Sequence, residues 1–458
     1  MPPEALDLIV LGGGFGGYSA AIRATQLGMK VALVEEAKLG GTCLHWGCIP
    51  TKALLESSEL LYRVRDRGRE FGISAEGIAV DYPTIAKRKD AIVGQLTKGI
   101  EGLMKKNKIE VVSARGTVTG KSSIQAGDRK LEAENLIIAT GSTPRSLPGI
   151  EIDGKWIITS DHAVHADRLP KSVAIIGGGA IGVEFATFYH QMGVAKVVVI
   201  EALDRLVPLE DEEVSGVMLK AFQKAGIEVR VGAKVQEAKA SDTGVTVKLD
   251  SGELQVEQLL VAVGRAPRSQ EIGLEDAGLK LSKPGFVEVD EWLRTGVDSI
   301  HAIGDLVGGY QLAHAAVHEG VTAAEDIAGK RREPIHQELI TRCTYSHPQI
   351  ASVGLTEKEA RDKGIAVKVG KFPFLAIGRA LIHGEPDGFV KIVADETGRI
   401  LGTHIVGNQA TELIAEPALA QLFQGDAWEV GRNVHPHPTL SEAVGEAAMA
   451  VDGQALNF

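Results

Sequence analysis

Residues 6–17 read Leu-Asp-Leu-Ile-Val-Leu-Gly-Gly-Gly-Phe-Gly-Gly, and this stretch decides the fold. The run 6–11 is short, apolar and closed by glycines, the pattern of a buried strand. Residues 17–27 follow with helical spacing, and 30–35 is a second strand. Together they make a βαβ unit. Gly12, Gly14 and Gly17 fit a dinucleotide fingerprint, and acidic Glu35 ends the second strand, where the fingerprint asks for an acid. Each residue type has a physical task. Gly12 allows the tight turn, Gly14 lets the backbone approach a pyrophosphate, and Gly17 lets helix pack on strand. The helix N-terminus turns its unpaired N–H groups toward the phosphates. Glu35 accepts hydrogen bonds from a ribose. A merely glycine-rich turn is the alternative, and the placement of the acid argues against it.

The pattern recurs much further along the chain, which points to separate domains. Residues 172–176 form a strand, Gly177, Gly178, Gly179, Ala180, Ile181 and Gly182 open a helix, 197–200 is the next strand, and Glu201 ends it. Glu201 repels a 2′-phosphate and holds a 2′-hydroxyl, so this second site favours NAD over NADP. The nearest arginine beyond Glu201 is Arg205.

At 458 residues the chain predicts two to four domains. Its net charge of −11 speaks against nucleic-acid binding, which needs clustered Lys and Arg. No apolar run nears the ~18–20 residues that cross a bilayer. The longest candidate, 173–183, is broken by Gly177–Gly179 and stops at Glu184. Glu4 and Asp7 precede the first basic residue, Arg23, so a secretory signal is not expected and a cytoplasmic location is. Glycine is the anomaly at 54 residues, about 12% of the chain against an average near 7%.

Further along, 136–141 and 259–264 are strands ending in Gly141 and Gly264, either ligand-facing strand ends or plain turns. Residues 300–305 form a third such end. Its Asp305 either binds a sugar hydroxyl or caps the helix expected over 312–327, and taken alone capping is the favoured reading. Residues 85–108 read as one long helix. After Arg331 the character changes: 389–394 and 399–406 flank a hairpin turn, and helical stretches follow at 412–423 and 441–449. Strands followed by helices predict a separate α+β domain.

Three cysteines occur, Cys43, Cys48 and Cys343, too few for a disulfide scaffold. A bond between Cys43 and Cys48 would close a tiny loop, which suits redox chemistry better than stabilisation. Spacing alone fits two unrelated buried thiols equally well. Pro50 suits the first turn of a helix, which puts Cys48 at a helix N-terminus where the dipole favours thiolate.

The segment Gly40-Gly41-Thr42-Cys43 through Cys48-Ile49-Pro50-Thr51-Lys52 resembles the active-site segment of the flavin disulfide reductases, the class I pyridine nucleotide-disulfide oxidoreductases. The resemblance spans the whole chain: both fingerprints, Ala139-Thr140-Gly141, Gly304-Asp305, and His435-Pro436-His437-Pro438-Thr439-Leu440-Ser441-Glu442. It is strongest toward the branch that oxidises dihydrolipoamide. Relatives that reduce glutathione want basic residues where Glu201 stands. Mercuric and large thioredoxin reductases want a further terminal cysteine pair, and no cysteine follows Cys343. A non-catalytic flavoprotein scaffold is the rival from another class.

The resemblance implies an α/β fold with two Rossmann-like dinucleotide-binding domains and a C-terminal α+β dimerisation domain. Its bounds would be 1–147 for FAD, 148–270 for NAD, 271–337 for a central domain completing the FAD site, and 338–458 for the interface. It implies that Cys43 exchanges with substrate, that Cys48 faces the flavin, that His437 is the acid–base and that Glu442 orients it. Lys52 and Glu184 would pair near the flavin; read without the family, they are exposed polar faces, and His437 is an ordinary surface or core histidine. Gly41, Thr42, Gly116, Gly141, Asp305 and Ala313 would contact FAD, and Val235 and Gly264 NAD. The implied partners are the lipoyl domains of an acyltransferase core, dihydrolipoamide, and a second copy in a homodimer, with no metal, nucleic acid or membrane. Phe15 stands where relatives often carry Pro, and Ala180 where many carry a larger residue. Cys343 reads as a small buried residue.

Overall fold

The computed structural model describes residues 5–330 and 333–458, so Glu4 and Arg331 lie outside the described residues. The chain forms two compact units. One combines Met1–Leu54, Pro83–Arg145 and Gly264–Gln337; the other combines Leu55–Tyr82, Ser146–Val263 and Glu338–Phe458.

In the first unit, Leu6–Leu11 lies between Val31–Glu35 and Arg129–Ile138, all parallel. Glu110–Ser113 extends one edge. Ile300–Ala302 arrives from far along the chain to pair in parallel with Arg129–Ile138. Leu8, Ile9 and Val10 are fully buried, as a strand covered on both faces requires. Helix Phe15–Gln26 packs on helix Ala313–Ile327 through small residues: a Cβ on Gly320 would overlap the Gly16 carbonyl oxygen. The glycine breaks at Gly141 and Gly264 are joined here, because Ser142–Pro144 pairs antiparallel with Arg265–Pro267.

In the second unit, a parallel sheet runs Glu228–Arg230, Lys196–Ile200, Ser172–Ile176, Gln258–Val261, Ile157–Thr159. Beside it, Val235–Ser241, Gly244–Leu249 and Gly252–Val256 form an antiparallel meander. The C-terminal part is a five-stranded antiparallel sheet in which Phe389–Asp395 and Ile400–Gly407 form the expected hairpin. Helix Glu442–Ala450 packs on it.

Two helices differ from expectation for proline reasons. The long helix is Tyr82–Lys106, starting earlier than predicted because Pro83 seats well in a first turn. The stretch 412–423 divides into Ala410–Leu413 and Ala415–Leu422. Pro417 has no N–H to offer Leu413, so the helix cannot run through. No described helix is long and apolar enough to cross a membrane.

Candidate active site

The first cradle is built by three glycines. Gly12 sits at φ +107°, and a Cβ there would overlap the Ala139 carbonyl oxygen. A Cβ on Gly17 would overlap the Gly12 carbonyl oxygen, so helix and strand meet backbone to backbone. Gly14 has open space where a side chain would be, and it caps helix Phe15–Gln26 without any side-chain hydrogen bond. The first-turn N–H groups thus face an open approach, the arrangement a pyrophosphate needs. Glu35 is fixed by backbone: its Oε2 accepts from Gly13 N at 2.6 Å and its Oε1 from Ala37 N at 2.8 Å.

The second cradle repeats this geometry. Gly177 sits at φ +105° against the Ala262 carbonyl, a Cβ on Gly182 would overlap the Gly177 carbonyl, and Gly179 is open. Ala180 and Ile181 begin helix Ala180–Gln191, which also lacks a side-chain cap. Glu201, 8% exposed, accepts from Gly178 N at 2.6 Å and Leu203 N at 2.8 Å. Arg205, the nearest arginine in sequence, is turned to Glu212 at 3.1 Å. Val235 opens the meander strand at half burial.

The cysteine segment docks on the first cradle. Gly40 N donates to Gly13 O at 2.8 Å, and Gly41 backs directly onto Gly14: a Cβ on it would meet the Gly14 Cα at 2.8 Å. From there Gly41–His45, which carries Thr42 and Cys43, forms a short helix, and Cys48 is the first residue of helix Cys48–Arg65. Both cysteines are half-buried thiols, not joined by a disulfide. The hydrogen bond between them and then burial raise the Cys43 pKa, while the Lys52 ammonium works against that rise. Spacing alone leaves paired and unrelated thiols equally open; the fold brings these two into contact. Cys343 is half-buried rather than buried.

Asp305 does not cap the helix that follows. Its carboxylate accepts from the Ser142 hydroxyl, with Arg265 Nε 3.7 Å away, and Leu312 caps helix Ala313–Ile327 with no side-chain bond. Ala313 therefore opens a helix whose first-turn N–H groups have no side-chain cap. Gly141 (φ +72°) and Gly264 (φ +99°) both face open space. Gly116 differs: a Cβ on it would run into Leu11 and Val34, so packing within the sheet is what requires glycine there. Sequence reasoning misses Ser142 and Arg265 as holders of Asp305, although both sit beside the glycines it singles out. It also misses Glu319, which is buried and accepts from Gly304 N at 2.6 Å.

In the second unit, His437 Nδ1 lies 2.8 Å from Glu442 Oε1, and Glu442 Oε2 accepts from Thr439 N at 2.8 Å. Partial burial opposes the Glu442 charge, but these contacts hold its carboxyl below the ordinary range. The His437 side chain is 78% exposed. Glu184 is buried, not on an exposed face, and accepts from Tyr345 N at 2.9 Å; Lys52 is half-buried.

Residues 6–320 match the family described as pyridine nucleotide-disulphide oxidoreductase, and residues 340–448 match its dimerisation domain. The chain is 47% identical to the dihydrolipoyl dehydrogenase of Bacillus subtilis, over 99% of both chains. It is 44% identical to that of Zymomonas mobilis, over 99% of this chain and all of the relative. Among solved structures, LpdA from Mycobacterium tuberculosis superposes with a TM-score of 0.90 at 27% identity, covering 97% of this chain and 99% of that one. The HOCl-induced flavoprotein disulfide reductase RclA from Escherichia coli gives 0.85 at 25% identity, covering 96% and 98%.

Proposed function

The chain belongs to the pyridine nucleotide-disulphide oxidoreductase family, and we propose that it is the member that oxidises dihydrolipoamide to lipoamide while reducing NAD to NADH. The observation that carries this reading is the contact between Cys43 and Cys48 on a segment docked against the first dinucleotide cradle.

The first cradle fits FAD: an open Gly14, an uncapped helix, and a carboxylate held ready for a ribose by two amides. When bound, FAD supplies a two-electron carrier between thiols and a nicotinamide. Gly12, Gly14, Gly17, Glu35, Gly41, Thr42, Lys52, Gly116, Gly141, Asp305 and Ala313 would hold it. Gly177–Gly182, Glu201, Val235 and Gly264 would hold NAD, with Glu201 selecting the 2′-hydroxyl.

The chain's own residues perform thiol–disulfide exchange. Oxidised enzyme carries a Cys43–Cys48 bond. A substrate thiolate attacks the Cys43 sulfur, and Cys48 leaves as a thiolate stabilised by the N-terminus of helix Cys48–Arg65. The second substrate thiol then displaces Cys43, closing the lipoamide ring and leaving the protein dithiol. Lipoamide gains one S–S bond, the protein loses one, and the electron pair resides on the cysteines. His437 takes the substrate proton. Glu442 holds the Nδ1 side of that ring, which leaves Nε2 as the base. The His437 side chain is exposed, free to reach thiols of a second copy, and the match of 340–448 to a dimerisation domain supports a homodimer as the working unit. The substrate arm arrives on lipoyl domains of an acyltransferase core.

The test replaces Cys43 with Ser and assays NADH formation from dihydrolipoamide. Loss of at least about a thousandfold is expected, as for removal of a covalent nucleophile. Undiminished turnover overturns the proposal.

A further inference from the structure

The two cradles share one more feature, and they satisfy it differently. In the first, Gly13 O accepts from Gly40 N at 2.8 Å, and Leu39 lies where a Cβ on Gly13 would be. In the second, Gly178 O accepts from Val207 N at 2.8 Å, and Leu206 lies where a Cβ on Gly178 would be. Leu39-Gly40 and Leu206-Val207 are therefore equivalent clamps. The second residue of each has positive φ: +100° at Gly40 and +42° at Val207. Glycine adopts that conformation freely, whereas a β-branched residue holds it only when its surroundings impose it.

The next few residues supply that imposition. Glu210 N donates to Val207 O at 2.9 Å. The Glu210 carboxylate accepts from Ser352 Oγ at 2.5 Å and Arg342 Nε at 3.3 Å. Asp211, which caps helix Glu212–Ala225, meets Lys391 Nζ at 3.0 Å. The same ammonium, 3% exposed, meets Glu213 and Glu357 at 2.9 Å each. Burial opposes the charge on Lys391, and the three carboxylates more than offset it, so its pKa is raised. Arg342, Ser352, Glu357 and Lys391 all lie in the segment matched to the dimerisation domain.

We propose that Lys391 is a positioning residue for the NAD subsite: with Ser352 and Arg342 it latches Glu210–Glu213 and so keeps Val207 clamped on Gly178 beside Glu201. Without that cation, Glu213 and Glu357 keep Lys371 at 2.6 Å and Arg361 at 2.9 Å, but Asp211, 4% exposed, loses its counter-ion beside both carboxylates, and that buried charge must relax. The nearest relief is for the chain leading back to Val207 to swing away. The inference rests on the reading that the second cradle takes NAD.

Flavin-loaded Lys391→Met, Lys391→Arg, Ser352→Ala and wild type are compared by equilibrium NAD titration, by amide hydrogen exchange over residues 203–211, and by the KM and kcat for NAD. Lys391→Met weakens NAD binding and raises KM on the order of tenfold through lost alignment, keeps kcat within about twofold at saturation, and exchanges faster at 203–211. Lys391→Arg keeps the cation and stays within about twofold of wild type. Ser352→Ala, a milder cut that leaves Lys391 in place, moves both affinity and exchange in the same direction by roughly threefold. Reduction of the cysteine pair by dihydrolipoamide is equal in all four. Wild type that binds NAD no better than Lys391→Met overturns the latch alone, as does a misfolded Lys391→Met beside a Ser352→Ala with unchanged affinity and exchange. Wild type that fails to bind NAD sinks the dinucleotide reading and the latch with it.

Discussion

Gly12–Gly17 and Gly177–Gly182 build nearly the same cradle in distant parts of the chain. Gly12 and Gly177 hold φ of +107° and +105°, and Glu35 and Glu201 take backbone N–H groups at the same 2.6 and 2.8 Å. They diverge at the clamp. Gly40 leads on to Gly41 and the cysteine helix, whereas Val207 leads into an ionic latch on the C-terminal sheet. A dinucleotide cradle is thus a backbone device that can be reused unchanged. Function enters through the chain that leaves it: thiols in one case, a long-range anchor in the other.

The most severe way to test this duplication is to add one methyl group to each copy. Gly17→Ala forces a Cβ into the Gly12 carbonyl and is expected to abolish flavin retention, read as absorbance per chain. Gly182→Ala does the same beside Gly177, and is expected to keep flavin while weakening NAD by about a hundredfold or more. A Gly182→Ala protein that loses flavin but keeps NAD would show that the two cradles have been assigned in reverse.

His437 and Glu442 belong to neither cradle, so their loss should spare both nucleotides. His437→Gln should lower kcat for dihydrolipoamide oxidation by about 10²–10³-fold, the usual worth of a positioned base. Glu442→Gln, which loosens the imidazole without removing it, should cost roughly tenfold. Retained turnover in His437→Gln would place the base elsewhere.

The two acids offer a finer contrast. Glu201→Gln should weaken NAD by about tenfold and narrow the gap to NADP, whereas Glu35→Gln should leave that preference unmoved, as steady-state comparison of both coenzymes will reveal. An NADP preference that shifts in Glu35→Gln would exchange their roles.

The smallest effect concerns pH. The Glu416 hydrogen bond outweighs burial and raises the His435 pKa. Its stabilisation is therefore full below the unfolded value near 6.5 and is lost as pH rises through the folded value. The Glu416 carboxylate keeps solvent contact although the His435 ring is nearly buried, so the gain is on the order of 1 kcal/mol. Melting curves of wild type and His435→Asn should differ at about pH 6 and converge at alkaline pH. A gap that widens with rising pH would refute this sign.

Much of both units is legible in the sequence because local signals and global fold agree. Strand 172–176 and hairpin 389–406 are readable from apolar runs and turn residues alone, and both fingerprints from glycine spacing. The helix 412–423 fails because its apolar spacing masks the missing N–H of Pro417. Asp305 reads as a cap because its partners, Ser142 and Arg265, are both remote from it in sequence. The Lys391 cluster is invisible for the same reason: its carboxylates come from positions 211, 213 and 357, and no local pattern joins them. Contact between Cys43 and Cys48 likewise becomes visible only once Gly40 and Gly41 dock on the first cradle.

The most direct test counts reactive thiols. Air-oxidised wild type is denatured and alkylated before and after anaerobic treatment with NADH, and the labelled peptides are identified by mass. With three cysteines in the chain, the oxidised protein should take label at Cys343 alone, and NADH should open Cys43 and Cys48 to label as well. Labelling of all three in both states, or a pair that NADH leaves closed, would contradict electron exchange between the nicotinamide and these two sulfurs.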